Sequence, residues 1–469
     1  MSDNNNNSTN NSSTQPVTRF SEIAQKYGDP WIWGIYFMLV IISIIESYSA
    51  SSREIATQGV YMPLIKQVIF LAVGAVCVAV LVRTDYNKPR FLFTMIPGLT
   101  LLTVFCLIYV MFFGREINGA QRAMQILPGV TLQPAELAKL SIVMLLSYIL
   151  AKSQLPRDVS NAGMVASAAA VALFGGLMIK SGLTNTLILM SVSLSMLLIG
   201  GAKLKKIIYM ILAYAVIGGL FFLVKSSNDS KEENLRAGEA ELRVESVQQG
   251  QPSDQIVLDN VEEKKEDKKF LSRSGTWQSR IHEWWYSDSL VYRDLTDKNQ
   301  QEMFSRMAQA HGGLFGVGLG GSRECSRLPL AFSDYIFSII MEEMGLAGGL
   351  LVLLLYLWLL ARAAMIVRRC KRVLPSLLII GMASLITFQA LFHMAINVGV
   401  FPVSGQPLPL ISKGGTAIVV MSVAFGVMLS VSRTIANYNN GNNRADNVSL
   451  PEGLDAENPT QIVPKNVWK

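Results

Sequence analysis

An all-α, polytopic helical membrane protein is the fold class this sequence predicts, with about ten transmembrane helices and one long extracytoplasmic loop between the seventh and the eighth. Three observations predict it. Of 469 residues, 51% are hydrophobic and only 16% are charged, and the mean hydropathy is +0.35; a soluble chain carries about 25% charged residues. Apolar runs long enough to cross a bilayer as helices recur along the chain, whereas barrel strands would give short alternating segments. Lys and Arg gather in alternate short loops, the bias that orients membrane helices.

Taken in order, residues 1–17 are rich in Asn, Ser and Thr, with no charged segment leading into an apolar core. They read as a disordered tail and not as a cleaved signal peptide, and the tail is expected to run to residue 30 on the cytoplasmic side. The membrane domain is expected over 31–435. Its spans are Trp31–Tyr48, Gln67–Val82, Phe91–Phe113, a fourth from Pro134 to about Ala151, Ala162–Ile179, Leu183–Gly200 and Ile207–Val224. Pro134 suits a first helical position, where its missing N–H costs nothing. The long loop covers 225–330 and opens with a charged insert, 226–269, that lacks aromatic residues and is expected to be disordered or loosely helical. Trp277, Trp284 and Trp285 mark a change of character after it. Asp334–Arg362, Leu374–Phe401 and Thr416–Ile435 are the last three spans, and a polar cytoplasmic tail follows from 436 to 469.

Arg83, Lys152, Lys203, Lys206, Arg368, Arg369 and Arg372 fall on one side of this layout, which is therefore cytoplasmic. Both termini share that side, and the long loop faces outward. The net charge of +7 is explained by these loops and does not point to nucleic acid. The four cysteines are scattered, with no spacing that indicates a disulfide framework or a metal cluster.

Ionisable residues inside spans carry the functional signal, because each costs roughly 2.5–3.5 kcal/mol at the centre of a helix on insertion scales. Glu136 and Lys139 stand three apart on one helix face near the outer surface. They form an internal ion pair, or the lysine faces a cavity and holds an anionic group. Arg115 and Arg122 in the preceding outward segment favour a phosphate-bearing ligand. Asp334 follows Ser333 at a helix start, where Ser333 as N-cap and Asp334 as dipole complement is one reading. A general base at the outer membrane edge is the other. Glu342 and Glu343 lie deeper; one is open to pairing with Lys139 or a helix terminus, the other to capping a gap in the backbone. GGLFGVGLGGS (312–322) lacks the Lys-Ser/Thr ending of a phosphate loop and reads as turn chemistry. VFPVSGQPLPLISKGGTA (400–417) cannot be a regular span, and irregular backbone at membrane depth must be buried in protein or line a cavity. It is expected to converge with 115–133, also read as irregular, and with the long loop on one site. Gln389, His393 and Asn397, four residues apart on one face, suit interhelical hydrogen bonds.

The motifs NGAQR (118–122), QPAELAKL (133–140), LPLAFSDYIFSIIMEEMG (328–345) and PLPLISKGGTA (407–417), in this order, resemble the SEDS family (shape, elongation, division and sporulation). The resemblance covers about residues 30 to 435, and SYSASS with LSRSGTW looks most like the family's division branch. It implies a peptidoglycan glycosyltransferase that polymerises lipid II at the outer face of the bacterial cytoplasmic membrane, at the division site. A class B penicillin-binding protein transpeptidase and other division proteins are the implied partners. The resemblance gives Asp334 the catalytic role, with Glu136 and Lys139 as the other catalytic positions. Asn118, Arg122, Gln133, Ser412 and Lys413 are the implied substrate-binding positions. The chain departs from the family pattern at Ala135 (usually Ser), Leu330 (acidic), Phe332 (His), Ser333 (Thr) and Lys413 (aromatic).

The implied reaction joins a glycan on a polyprenyl pyrophosphate to the 4-hydroxyl of a lipid-linked sugar. Asp334 as general base activates the hydroxyl, and Lys139, Arg122 and Lys413 neutralise the leaving group. No ligand cluster marks a cofactor; a divalent cation such as Mg is the one helper that fits the chemistry. Two other classes compete: a flippase for the lipid-linked precursor, since broken helices and buried charges also occur in transporters, and a non-catalytic division scaffold.

Overall fold

The computed structural model describes residues 19–50, 62–84, 94–117, 120–127, 130–155, 158–179, 182–216, 284–285, 300–328 and 331–439. Asn118, Leu330, the charged insert and the C-terminal tail beyond residue 439 lie outside these. The helices are α1 (Arg19–Tyr27), α2 (Pro30–Ser49), α3 (Met62–Arg83), α4 (Ile96–Phe113), α5 (Pro134–Lys152), α6 (Asn161–Ile179), α7 (Leu183–Ile199), α8 (204–216), α9 (Gln300–Gly312), α10 (Ile336–Val367), α11 (Val373–Asn397) and α12 (Gly415–Asn439). Eight of them, α2–α6 and α10–α12, are long and apolar enough to cross a membrane, and α7 is a shorter apolar helix. The expected seventh span is described only to residue 216, as α8.

α11 is the core of the bundle. Over an 18-residue apolar stretch of it 94% of residues are buried, against 28% in the corresponding stretches of α3 and α4, whose apolar side chains face outward to lipid. Close approach of the helices depends on small residues. A Cβ at Gly381 of α11 would come within 2.7 Å of Val143 on α5 and 3.0 Å of Met196 on α7.

Four elements differ from the sequence expectations. β1 (Arg115–Ile117), β2 (Ala120–Leu127) and β3 (Val130–Leu132) pair as an antiparallel meander in the order β1-β2-β3. Register shifts at Arg115/Glu116 and Gln125/Leu127 interrupt the pairing. α9 lies inside the stretch assigned to a loop. α1 lies inside the stretch assigned to a tail. The helix expected from Asp334 begins at Ile336.

One end of the bundle is tied by charge. Arg362 on α10 holds both carboxylate oxygens of Asp29, Nη2 to Oδ2 at 2.6 Å and Nε to each at 3.1 Å. Asp29 also caps α2, accepting from the Trp31 and Ile32 N–H groups at 3.0 and 3.4 Å, ahead of Pro30 at the first helical position. Its own N–H donates to Ser432 of α12 at 2.9 Å. The two-residue strands β4 (Gln154–Leu155) and β5 (Asp158–Val159) turn the chain from α5 to α6. There Asp158 meets Lys206 at 2.9 Å and Lys203 at 3.2 Å. The Lys206 ammonium holds the Asp158 carboxyl well below the usual carboxylate range. This end carries the Lys/Arg-rich loops. The opposite end carries the candidate site.

Candidate active site

Phe332, Ser333 and Asp334 form a turn just ahead of α10. Their three successive carbonyls all accept hydrogen bonds from outside it. Phe332 O takes the Lys413 N–H at 3.0 Å, Ser333 O takes the Ser412 hydroxyl at 2.8 Å, and Asp334 O takes the Asn397 side-chain amide at 3.1 Å. In a helix these carbonyls would face N–H groups four residues on, which is why α10 starts only after Tyr335. Ser333 is therefore no N-cap. Its hydroxyl donates to Asp334 Oδ1 at 3.0 Å. The turn is clipped to the Ser412–Lys413 turn, and the half-buried Lys413 places its ammonium 4.8 Å from the centre of the Phe332 ring.

The segment that carries Ser412 and Lys413 enters the bundle. Its carbonyls are met one by one by side chains from surrounding helices: Tyr356 Oη to Pro409 O at 2.6 Å, Gln389 Nε2 to Pro407 O at 3.2 Å, and Ser43 Oγ to Ile411 O at 3.4 Å. His393 Nδ1 meets Gln406 O at 2.6 Å. Tyr356 lies six residues, roughly 9 Å of helix, from Arg362 at the charged end, so the segment reaches deep. Irregular backbone at that depth survives because its polar groups are satisfied. Leu410, with φ 64°, is the only non-glycine residue of positive φ among those described. The meander joins the same region, since Thr416 Oγ1 donates to Thr131 O at 3.2 Å. Two of the three stretches expected to converge thus meet; of the long loop, most of which lies outside the described residues, Trp284 Nε1 donates to Gly399 O at 3.0 Å, one residue before the segment.

Glu136 and Lys139 lie within the first two turns of α5. The Lys139 ammonium donates to Glu136 Oε1 at 2.7 Å and to Gln389 Oε1 at 2.5 Å. Lys139 is 0% exposed and Glu136 is 1% exposed. This is the internal ion pair of the two sequence readings, extended to α11. The bond also fixes the Gln389 amide so that its N–H₂ points at Pro407.

The glycine-rich loop is laid against a break in α10. Gly345, at φ 69° and ψ −170°, interrupts that helix. Val317 N–H donates to Glu342 O and Gly318 N–H to Glu343 O, both at 3.0 Å; Leu346 N–H donates to Gly313 O at 3.0 Å and Ala347 N–H to Leu314 O at 3.2 Å. Peptide groups taken out of the helix ladder find partners in the loop. A Cβ at Gly316 would run into the Glu343 carbonyl, and one at Gly312 into the Met341 carbonyl. These glycines thus serve close backbone approach as well as turning. Glu342 accepts from Ser322 Oγ and from Arg323 N–H at 3.0 Å. Glu343 accepts from the Ser49 hydroxyl, to which Gly320 N–H donates in turn at 3.1 Å. Both carboxylates latch the loop, and Lys139 pairs with Glu136 instead.

Asp334, Ser412 and Lys413 are therefore brought together. Gln133 precedes α5 and accepts the Glu136 N–H on its carbonyl at 3.1 Å. Arg122 lies in β2 of the adjoining meander. Asn118 lies outside the described residues. Tyr356 and Ser43 were not singled out by sequence pattern, because a lone hydroxyl in an apolar helix has no periodic signature. The prolines of 400–417 were the available signal that such donors had to exist. Among the described residues no three His, Cys, Asp or Glu side chains are grouped to hold a metal ion.

Fold and site define a class: a polytopic helical membrane protein whose bundle buries a proline- and glycine-rich segment and sets a carboxylate turn against a lysine turn at one end. The chain belongs to the FtsW/RodA/SpoVE family of cell cycle proteins, whose sequence profile matches residues 30–233 and 270–437. It is 27% identical to the probable peptidoglycan glycosyltransferase FtsW of Trichlorobacter lovleyi, over 84% of this chain and 90% of that one. It is 26% identical to the stage V sporulation protein E of Bacillus subtilis, over 85% and 95%. Among solved structures it resembles a chain from a peptidoglycan synthase complex that coordinates polymerization and crosslinking, at 22% identity and TM-score 0.57, over 87% and 98%. It also resembles the rod shape determining protein RodA of Thermus thermophilus, at 20% identity and TM-score 0.55, over 87% and 97%.

Proposed function

We propose that this protein is a peptidoglycan glycosyltransferase that polymerises lipid II into glycan strands during division. Family membership supports the reaction class. The observation that carries the site is the clip between the Asp334 turn and the Ser412–Lys413 turn, in which Phe332 O accepts the Lys413 N–H and Ser333 O accepts the Ser412 hydroxyl. Asp334 acts as general base on the acceptor 4-hydroxyl, a step contributing typically about 10²–10⁴-fold. As the hydroxyl oxygen attacks the anomeric carbon, its proton passes to the Asp334 carboxylate and the sugar–phosphate bond breaks. The electron pair of that bond leaves on the pyrophosphate. Lys413 and Arg122 neutralise this developing charge. Glu136 and Lys139 hold Gln389, and through it the segment that carries Lys413. Asn118, Gln133 and Ser412 complete the substrate-side positions.

The site lies at the end opposite the Lys/Arg-rich loops, which is the outer face by the positive-inside rule; both termini are then cytoplasmic. A class B penicillin-binding protein is the proposed partner, in keeping with the structural likeness to a complex that coordinates polymerization and crosslinking. Purified protein in detergent, given lipid II, is expected to make glycan strands. A flippase has no membrane to cross there and would make none. Failure to polymerise both alone and with the transpeptidase would overturn the reading.

A further inference from the structure

We infer that Asn397 and His393 are positioning residues that set the distance between the Asp334 turn and the segment bearing Lys413; the inference rests on the reading of Asp334 as the base. The two lie one turn apart on α11 and are buried, at 2% and 1% exposure. His393 Nδ1 stands 2.6 Å from the Gln406 carbonyl. A carbonyl only accepts, so the ring proton is on Nδ1 and the neutral ring offers Nε2 as an acceptor. The Asn397 amide lies 3.3 Å from that Nε2 and 2.9 Å from the His393 carbonyl, and donates its other hydrogen to Asp334 O at 3.1 Å. A continuous chain of hydrogen bonds thus runs from Gln406 through His393 and Asn397 to the backbone of Asp334.

Asn397 is itself held from the other side. Its Oδ1 accepts from Ser338 Oγ at 2.9 Å. Its backbone carbonyl accepts from Gln309 at 2.7 Å and Ser305 at 3.3 Å, both on α9. Every polar atom of the amide therefore has a partner that fixes its orientation. The base and the segment with the phosphate-facing lysine are both referred to one rigid, buried helix. A base misplaced by about 1 Å can lose about 10²-fold in rate, so a relay that fixes this spacing acts on turnover while touching no substrate.

Asn397→Asp tests the relay with little change in shape: it keeps the acceptor for Ser338 and removes both donors. Full-length protein is assayed for lipid II polymerisation beside wild type and Asp334→Asn, and hydrogen–deuterium exchange is followed over 331–335 and 404–413. The expected result is a kcat lowered about 10–100-fold with KM for lipid II within about twofold, and faster exchange in both segments. His393→Asn, which keeps a donor near the Nδ1 position, is expected to lose less than His393→Leu. The double variant Asn397→Asp/Asp334→Asn is expected to be no slower than Asp334→Asn alone, since both act through one base. Wild-type exchange in both segments would overturn the relay whatever the activity. Faster exchange with wild-type kcat would overturn its catalytic role. Asp334→Asn with wild-type activity would instead remove the base assignment, and the positioning role with it.

Discussion

Lys139 and Glu136 form an ion pair 2.7 Å long, across one turn of α5, with neither side chain reaching the surface. The lysine's second bond goes to Gln389 on α11. Removing one partner strands a buried charge, which costs about 3–5 kcal/mol, whereas replacing both leaves none. Lys139→Met is therefore expected to lower the melting temperature of the detergent-solubilised protein sharply, and the double variant Glu136→Gln/Lys139→Met to recover part of the loss. A single variant with wild-type stability and no activity would instead point to direct contact between Lys139 and substrate.

Tyr356 supplies the donor for Pro409 O deep in the bundle. Tyr356→Phe keeps the ring and leaves that carbonyl unsatisfied, at a cost of about 1–3 kcal/mol. Thermal unfolding checks this directly, and the same loss should be absent in Tyr48→Phe, an exposed tyrosine near the end of α2.

The glycine-rich loop offers a graded test. Gly316, at φ 80°, faces the Glu343 carbonyl, and Gly313, at φ 53°, has open space where a Cβ would stand. Gly313→Ala meets only the cost of the left-handed conformation, about 1–2 kcal/mol. Gly316→Ala adds a backbone collision, so its stability and activity are expected to fall further. Equal effects of the two would mean that the loop does not press against the α10 break.

Hydropathy marked the spans because the long apolar runs leave few alternatives in a bilayer. The meeting of 115–133 with 400–417 was legible from glycine and proline placement, whereas the clip between 400–417 and the Asp334 turn was not. The facing of Lys139 was not. α5 is apolar around most of its circumference, so no polar face distinguishes a cavity from a neighbouring helix. The start of α10 was also misread. Ser-Asp looks like a cap, but the carbonyls of 332–334 are taken by Lys413, Ser412 and Asn397, residues 63–81 positions away in the chain. Local sequence has no access to such partners.

Lys413 separates charge from shape at the leaving-group side. Lys413→Met is expected to raise KM for lipid II and lower kcat/KM about 10–100-fold, in the range of charge-assisted contacts worth about 1.5–3 kcal/mol. Lys413→Arg is expected to retain most activity. If Lys413→Met matched wild type in steady-state polymerisation, the pyrophosphate would have to be neutralised elsewhere.

In the proposed reaction Asp334 takes the proton from the acceptor hydroxyl. The most direct measurement is lipid II polymerisation by purified wild-type protein and by Asp334→Asn, each shown by thermal unfolding to be folded. Glycan strands are expected from the wild type, and a rate at least about 10²-fold lower from Asp334→Asn. Wild-type polymerisation by folded Asp334→Asn would contradict that role.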